Sequence, residues 1–191
     1  EILGNTVSAD LGGALVLDAN AKNTGMLYFE GNIGNNGSAL VINKDLDVHA
    51  PIVASSNEAL VNAPIYLNAV LKGSDSVIIR NNKGGNGGAI YADEKASMDI
   101  DGKVEIIENE ASYGAGIYVA ENAEFKLAKN IIISKNNANL SSSNGGAIYA
   151  DKNSKVYLSD GAIISENEAA TAGAIMLNEA TLVVPKGAKN Y

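Results

Sequence analysis

The chain has no cysteine and no tryptophan, one histidine (His49) and one arginine (Arg80). Without cysteine there is no disulfide, no thiolate metal ligand and no thiol nucleophile. A single histidine cannot form a histidine metal cluster, and a catalytic triad would have to be built on His49 alone. Basic residues number 14 against 22 acidic ones, for a net charge of −8. That balance argues against nucleic acid as a partner, which would need clustered lysine and arginine. No apolar run approaches the ~18 residues of a membrane-spanning helix. The chain does not open on a basic region followed by an apolar one, as a signal peptide would. Neither a cofactor nor a metal site is expected.

Asparagine and glycine are in excess, with 24 and 20 of 191 residues. Such an excess calls for an architecture that repeats its turns, and the sequence repeats accordingly. One phrase reads Gly-Gly-Ala-Leu at 12–15, Gly-Ser-Ala-Leu at 37–40, Asn-Ala-Pro-Ile at 62–65 and Gly-Gly-Ala-Ile at 87–90. It continues as Gly-Ala-Gly-Ile at 114–117, Gly-Gly-Ala-Ile at 145–148 and Ala-Gly-Ala-Ile at 172–175. Its aliphatic anchors are Leu15, Leu40, Ile65, Ile90, Ile117, Ile148 and Ile175, spaced by 25, 25, 25, 27, 31 and 27. A second phrase, an apolar residue three places before an asparagine, keeps register with the first. Its pairs are Ile2/Asn5, Phe29/Asn32, Ala54/Asn57, Ile79/Asn82, Ile106/Asn109, Ile133/Asn136 and Ile164/Asn167. From anchor to next asparagine the count is 17 three times and then 19 three times, so the connecting turn changes in the second half.

Each unit holds three short runs of alternating apolar residues separated by Gly, Asn, Asp and Ser. After the anchor Ile90 these are 89–92, 96–100 and 103–107. No run is long enough for a helix with a 3.6-residue apolar stripe, and period-2 alternation reads as strand. Three strands per unit, stacked in register, predict an all-β single-stranded parallel β-helix, a solenoid of about seven coils of 25–31 residues. The Leu-x-x-Leu-x-Leu phrase of a leucine-rich repeat is absent. Residues 1–191 are read as one segment of a longer solenoid, because the next asparagine at the same spacing would fall at 194.

Parity assigns the faces. The anchor and the residue two places on point inward. So do Val77/Ile79, Val104/Ile106 and Ile131/Ile133 on the third strand, and Met98/Ile100, Phe125/Leu127, Val156/Leu158 and Leu182/Val184 on the second. The asparagines stack at one corner, where their amides form a ladder and αL geometry is tolerated. A second Asx column, Asp18, Asn43, Asn68, Asp93, Asp151 and Asn178, is interrupted by Ala120 and reads as a turn.

The paired phrases resemble the repeat of the polymorphic membrane proteins of chlamydiae, Phe-x-x-Asn with Gly-Gly-Ala-(Ile/Leu/Val). Phe29 through Asn32 matches it, as do the Ile-x-x-Asn phrases at 79–82, 106–109, 133–136 and 164–167; the resemblance covers essentially the whole chain. It departs from that family in having no cysteine and in keeping the phenylalanine once. The resemblance implies an autotransporter passenger, a β-helix on the bacterial cell surface or outer membrane, or secreted, with a membrane barrel elsewhere in the full protein. The implied role is adhesion, with a host-cell surface protein or glycan, or another copy, as partner. Right-handedness follows from the family and from the preference for right-handed parallel crossovers.

Candidate binding residues are Tyr66, Tyr91, Tyr118 and Tyr149, each one after an anchor and directed outward in one column. Such a ladder offers area and hydroxyls to a protein or a sugar, or else it stabilises the sheet as neighbour pairs. The polar insertion at 137–144 reads as a projecting loop, with Asn139, Ser141, Ser142 and Ser143 as possible hydrogen-bonding groups. Tyr28, Val53, Ile78, Ile132 and Ile163 form an outward apolar column broken by Glu105. Parallel β-helices also host polysaccharide lyases and hydrolases, which need convergent acids on adjacent coils. The acids sit mostly at turns or scattered outward positions, such as Asp45/Asp47, and Asp99/Asp101 and Glu105/Glu108 have no aligned acids on a second coil, so an enzyme is not expected. A stalk without a ligand of its own is the remaining alternative. Gly84 through Gly88 lacks the lysine of a phosphate loop and reads as a turn.

Overall fold

A computed structural model of the protein describes residues 1–138 and 143–185. Every element is a strand, every pairing is parallel, and no helix occurs among the described residues. The strands stack into a β-solenoid of about seven turns. One seven-stranded sheet carries the anchors: Leu15–Leu17, Leu40–Ile42, Ile65–Leu67, Ile90–Ala92, Ile117–Val119, Ile148–Ala150 and Ile175–Leu177. Anchor pairs with anchor at every step. A second seven-stranded sheet carries the asparagine phrase: Ile2–Leu3, Leu27–Glu30, Ile52–Ser55, Val77–Arg80, Val104–Ile107, Ile132–Ser134 and Ile163–Ser165. The third face is divided. Ala21–Asn23, Leu46–Val48, Val70–Gly73 and Ser97–Ile100 form one sheet, and Glu124–Lys126, Lys155–Tyr157 and Thr181–Val183 another.

Each coil also has a short extra pairing just past its ladder asparagine, which the three-strand reading does not include. It runs through Thr6, Ile33, Glu58, Lys83, Glu110, Asn137 and Glu168. The change from 17 to 19 residues lies at the corner after the anchor strand. There Glu94 with Lys95, and the corresponding residues of later coils, form a turn that the earlier coils lack.

Leu40, Ile65, Ile90, Ile117 and Ile148 are buried beside Phe29, Leu46, Leu71, Ile79, Ile106, Phe125, Ile133 and Val156. Aliphatic residues thus stack on aliphatic residues along the rod, and their burial is the main favourable term in folding. Val184 is an exception: it is expected inward but is 54% exposed, and it lies past the last described strand, Thr181–Val183. The outward apolar column also differs from expectation. Val53 is buried, its neighbours on the same face are partly covered, and Ile163 stands out at 53% exposure.

The asparagine ladder is continuous. Each asparagine from Asn5 to Asn136 donates its backbone N–H and its Nδ2 to Oδ1 of the next, at 2.8–3.0 Å. The remaining Nδ2 hydrogen reaches the carbonyl of the apolar residue that opens the phrase in the preceding coil, as in Asn82 to Ala54 and Asn109 to Ile79. The acceptor is a backbone carbonyl, so this bond fixes where the asparagine sits, while the phrase's first residue is apolar because its side chain is buried in the core. The left-handed residue is not the ladder asparagine but the one before it: Gly4, Gly31, Ser56, Asn81, Glu108, Lys135 and Glu166 have φ of 54–64°. The left-handed residue turns the chain, so the asparagine side chain enters the interior and the residue before it carries the αL cost.

Candidate functional site

The anchor sheet positions the tyrosines. Tyr66, Tyr91, Tyr118 and Tyr149 are direct partners in parallel register, so their rings must stack. Ring centroids are 5.2 Å apart at each step, with interplanar angles of 13°, 8° and 15°. Tyr113 adds an edge-on contact to Tyr149 at 5.3 Å. All four stacked rings are half-buried. Along the stack each ring face is covered by its neighbour, so a sugar cannot lie between them. What the column presents is ring edges and hydroxyls.

The hydroxyls meet the second Asx column of the next coil. Tyr66 donates to Asp93 and Tyr118 donates to Asp151 at 2.5 Å, while the same diagonal sets Tyr149 against Asn178. By the same diagonal Tyr91 faces Ala120, which has no acceptor, and its hydroxyl finds no hydrogen-bond partner among the described residues. Burial, then the nearby carboxylates, raises the pKa of Tyr66, Tyr91 and Tyr118 above the ordinary phenol value, and burial raises Tyr149 as well. The stack is therefore neutral at physiological pH. Burial would raise the pKa of Asp151 too, but hydrogen bonds from Tyr118, the Lys152 amide and Asn178 outweigh it and hold it low. The Asx column also bonds along itself, with Asn43 donating to Asp18 at 2.7 Å and Asn178 to Asp151 at 2.9 Å.

Two stretches, 76–93 and 130–151, match the model of the Chlamydia polymorphic membrane protein repeat. At these two stretches the chain is similar to that repeat. The matched stretches contain Tyr91, Asp93, Tyr149 and Asp151, whereas Tyr66 and Tyr118, which donate to those aspartates, lie outside them. No curated protein and no solved structure matches the chain.

The remaining candidate sites fall elsewhere on the repeats. Asn139, Ser141 and Ser142 lie outside the described residues. Ser143 is buried, and its Oγ accepts the Ala170 amide at 3.4 Å, so it faces the adjoining coil rather than a partner. On the third face Lys22, Asp47, Lys72 and Asp99 occupy one outward column, and Lys72 reaches Asp45 at 3.4 Å. Lysines therefore separate the acids along this column. His49 is a partly exposed residue 2.9 Å from Asp47. Among the described residues no group of three acids, histidines or cysteines is placed to hold a metal. Asp47, in the middle of Leu46–Val48, lies in a regular strand. Gly84 and Gly85 belong to a tight corner, where a Cβ would meet backbone oxygens at 2.2 Å. The sequence does not announce the diagonal from tyrosine to the next coil's aspartate. Only the register, a two-residue offset between neighbouring coils, brings the two columns together.

Proposed function

We propose that this solenoid is a displayed segment of a bacterial surface protein and that it acts as an adhesin, holding its tyrosine face toward a partner. The repeat match within a seven-turn solenoid carries the proposal, because chlamydial polymorphic membrane proteins are by their name membrane proteins. The geometry gives it physical content. Continuous ladders tie every coil to the next, and the tyrosine column runs along the rod on consecutive coils. A surface preorganised in this way orders little on binding, which favours affinity.

Beads coated with the protein are expected to bind cultured epithelial cells above albumin-coated beads. Tyr118→Ser, which takes one ring from the stack and removes the tyrosine donor of Asp151, should lower that binding. Equal binding of protein-coated and albumin-coated beads would reject the adhesin reading. It would favour the stalk, a reading supported by how fully the hydroxyls of Tyr66 and Tyr118 are used within the chain.

A further inference from the structure

We propose that the tyrosine strip is a docking surface for a basic, extended protein segment; this rests on the adhesin reading and names its partner class. The strip has two unlike flanks. On one side Gly87, Gly114 and Gly145, three residues before their anchors, turn with φ of 81°, 56° and 68°. They carry no side chains, which leaves the approach open at Tyr66, Tyr91 and Tyr118, while Tyr113 meets the Tyr149 ring edge-on. On the other side stand Asp93, Glu94, Glu121 and Asp151, with Glu94 and Glu121 exposed; two lysines share these turns, the exposed Lys95 and Lys152, of which Lys152 pairs with Glu179, so the flank remains net acidic. None of these four carboxylates forms an ion pair among the described residues. The neighbouring face differs, since Lys72 pairs with Asp45 and Lys155 with Glu124 there.

The hydroxyls complete the recognition chemistry. A phenol that donates to a carboxylate becomes a better acceptor through its own oxygen, since hydrogen bonds in a chain polarise one another. Tyr66 and Tyr118 are in that state, and the Tyr91 hydroxyl is unengaged. An arginine or lysine side chain laid across the strip can donate to these oxygens and to the adjacent carboxylates together. Arginine and tyrosine are the residues that most often carry interface energy. The covered ring faces exclude sugar stacking and cation–π contact along the stack, so the recognition is charge-assisted hydrogen bonding at the edge. An anionic glycan would be repelled by the carboxylate flank.

The test is fluorescence anisotropy of a labelled octa-arginine peptide with the whole protein at low salt. A labelled octa-glutamate peptide and a neutral oligosaccharide serve as comparison probes. Octa-arginine is expected to bind, and the other two are not. Glu94→Gln with Glu121→Gln should weaken binding roughly fivefold, the combined effect of two exposed charge contacts. Glu166→Gln with Glu168→Gln, the same charge change at the exposed ladder corner, should leave it unchanged. Circular dichroism melts of both double variants should overlay the parent. Equal weakening by both pairs would show attraction to net charge alone and overturn the proposal, as would binding of the neutral oligosaccharide in place of the basic peptide. If the coated beads bind cells while octa-arginine does not bind, the partner class is wrong and the adhesin reading survives. If the beads do not bind cells, the adhesin reading fails.

Discussion

The Oδ1 of Asn109 accepts two bonds from Asn82, one from its backbone N–H and one from its Nδ2, each 3.0 Å long. Both residues are buried. Asn109→Ala would leave two buried donors of Asn82 without an acceptor, along with the carbonyl of Ile79 and the side-chain oxygen contact to the coil above. An unsatisfied buried group costs ~1–3 kcal/mol, so a loss of about 2–5 kcal/mol is expected in urea unfolding. Asn109→Asp should be little better: a carboxylate accepts from Asn82 but cannot donate onward to Asn136. Asn5→Ala, at the exposed end of the ladder, should cost far less.

Much of this arrangement was legible because each coil repeats the same requirement. The anchors, the inward pairs on the third strand and the ladder column follow from spacing and parity, and the register confirms them residue by residue. Other features were not legible, for physical reasons. The left-handed position before each asparagine is filled by Gly, Ser, Asn, Glu or Lys, so no residue type marks it. The extra pairing after the ladder depends on backbone bonds that any side chain permits. Burial of Ser143 and the engagement of tyrosine with aspartate depend on the offset between coils, which periodicity within one coil does not contain.

The small residues of the Gly-Gly-Ala phrase have a steric explanation. A Cβ added to Gly88 would lie 2.2 Å from the Ala115 carbonyl oxygen and 2.8 Å from that of Glu110. Both are backbone atoms of the next coil and cannot rotate away. Gly88→Ala is expected to force the coils apart and lower the midpoint of thermal unfolding by many degrees, in the range of overpacked cores at ~1–3 kcal/mol or more. Gly25→Ala is the control, since no atom lies within 4 Å of its added Cβ. It should be neutral or slightly stabilising.

Ser38 stands in the same column as Gly88 and Ala63, and its buried Oγ has no hydrogen-bond partner. Ser38 already carries a Cβ here, as Ala63 and Ala115 do on their coils, whereas the coil at Gly88 closes more tightly and has no room for one. Ser38→Ala should therefore raise stability by about 1 kcal/mol, the desolvation cost of an unpaired hydroxyl. A decrease in the urea midpoint would mean that the hydroxyl is satisfied by solvent.

Ala120 is the gap in the Asx column, beneath a backbone turn that repeats those of its neighbours. Ala123 N–H donates to the Ala120 carbonyl as Ala96 does to Asp93 and Ser154 to Asp151. Ala120→Asp should place a carboxylate where the Tyr91 hydroxyl and the Glu121 amide can both donate, as Asp151 receives Tyr118 and Lys152. The expected gain is ~0.5–1.5 kcal/mol, the net worth of a typical intramolecular hydrogen bond. Tyr91→Phe in that background should remove the gain, while Tyr91→Phe in the parent should change little. Equal effects of Tyr91→Phe in both backgrounds would show that the carboxylate does not reach the hydroxyl.

The tyrosine stack also fixes how stability depends on alkaline pH. Tyr66, Tyr91, Tyr118 and Tyr149 have folded-state pKa values above the ordinary phenol value, mainly through burial and then through nearby carboxylates. A raised pKa means that the folded state holds the proton more tightly than the unfolded state. The stabilising contribution is thus complete below the unfolded pKa of about 10 and is lost as pH climbs from there through the folded values. Urea midpoints should be level from about pH 8 to 9.5 and fall steeply beyond about pH 10.5. Absorbance in the phenolate band should show a late-ionising group of tyrosines whose ionisation coincides with loss of the folded signal. Tyr118→Phe should flatten the fall, because the phenylalanine ring has no phenolic proton to lose while the stack is kept. If Tyr118→Phe falls as steeply as the parent, alkaline unfolding is driven from outside the stack.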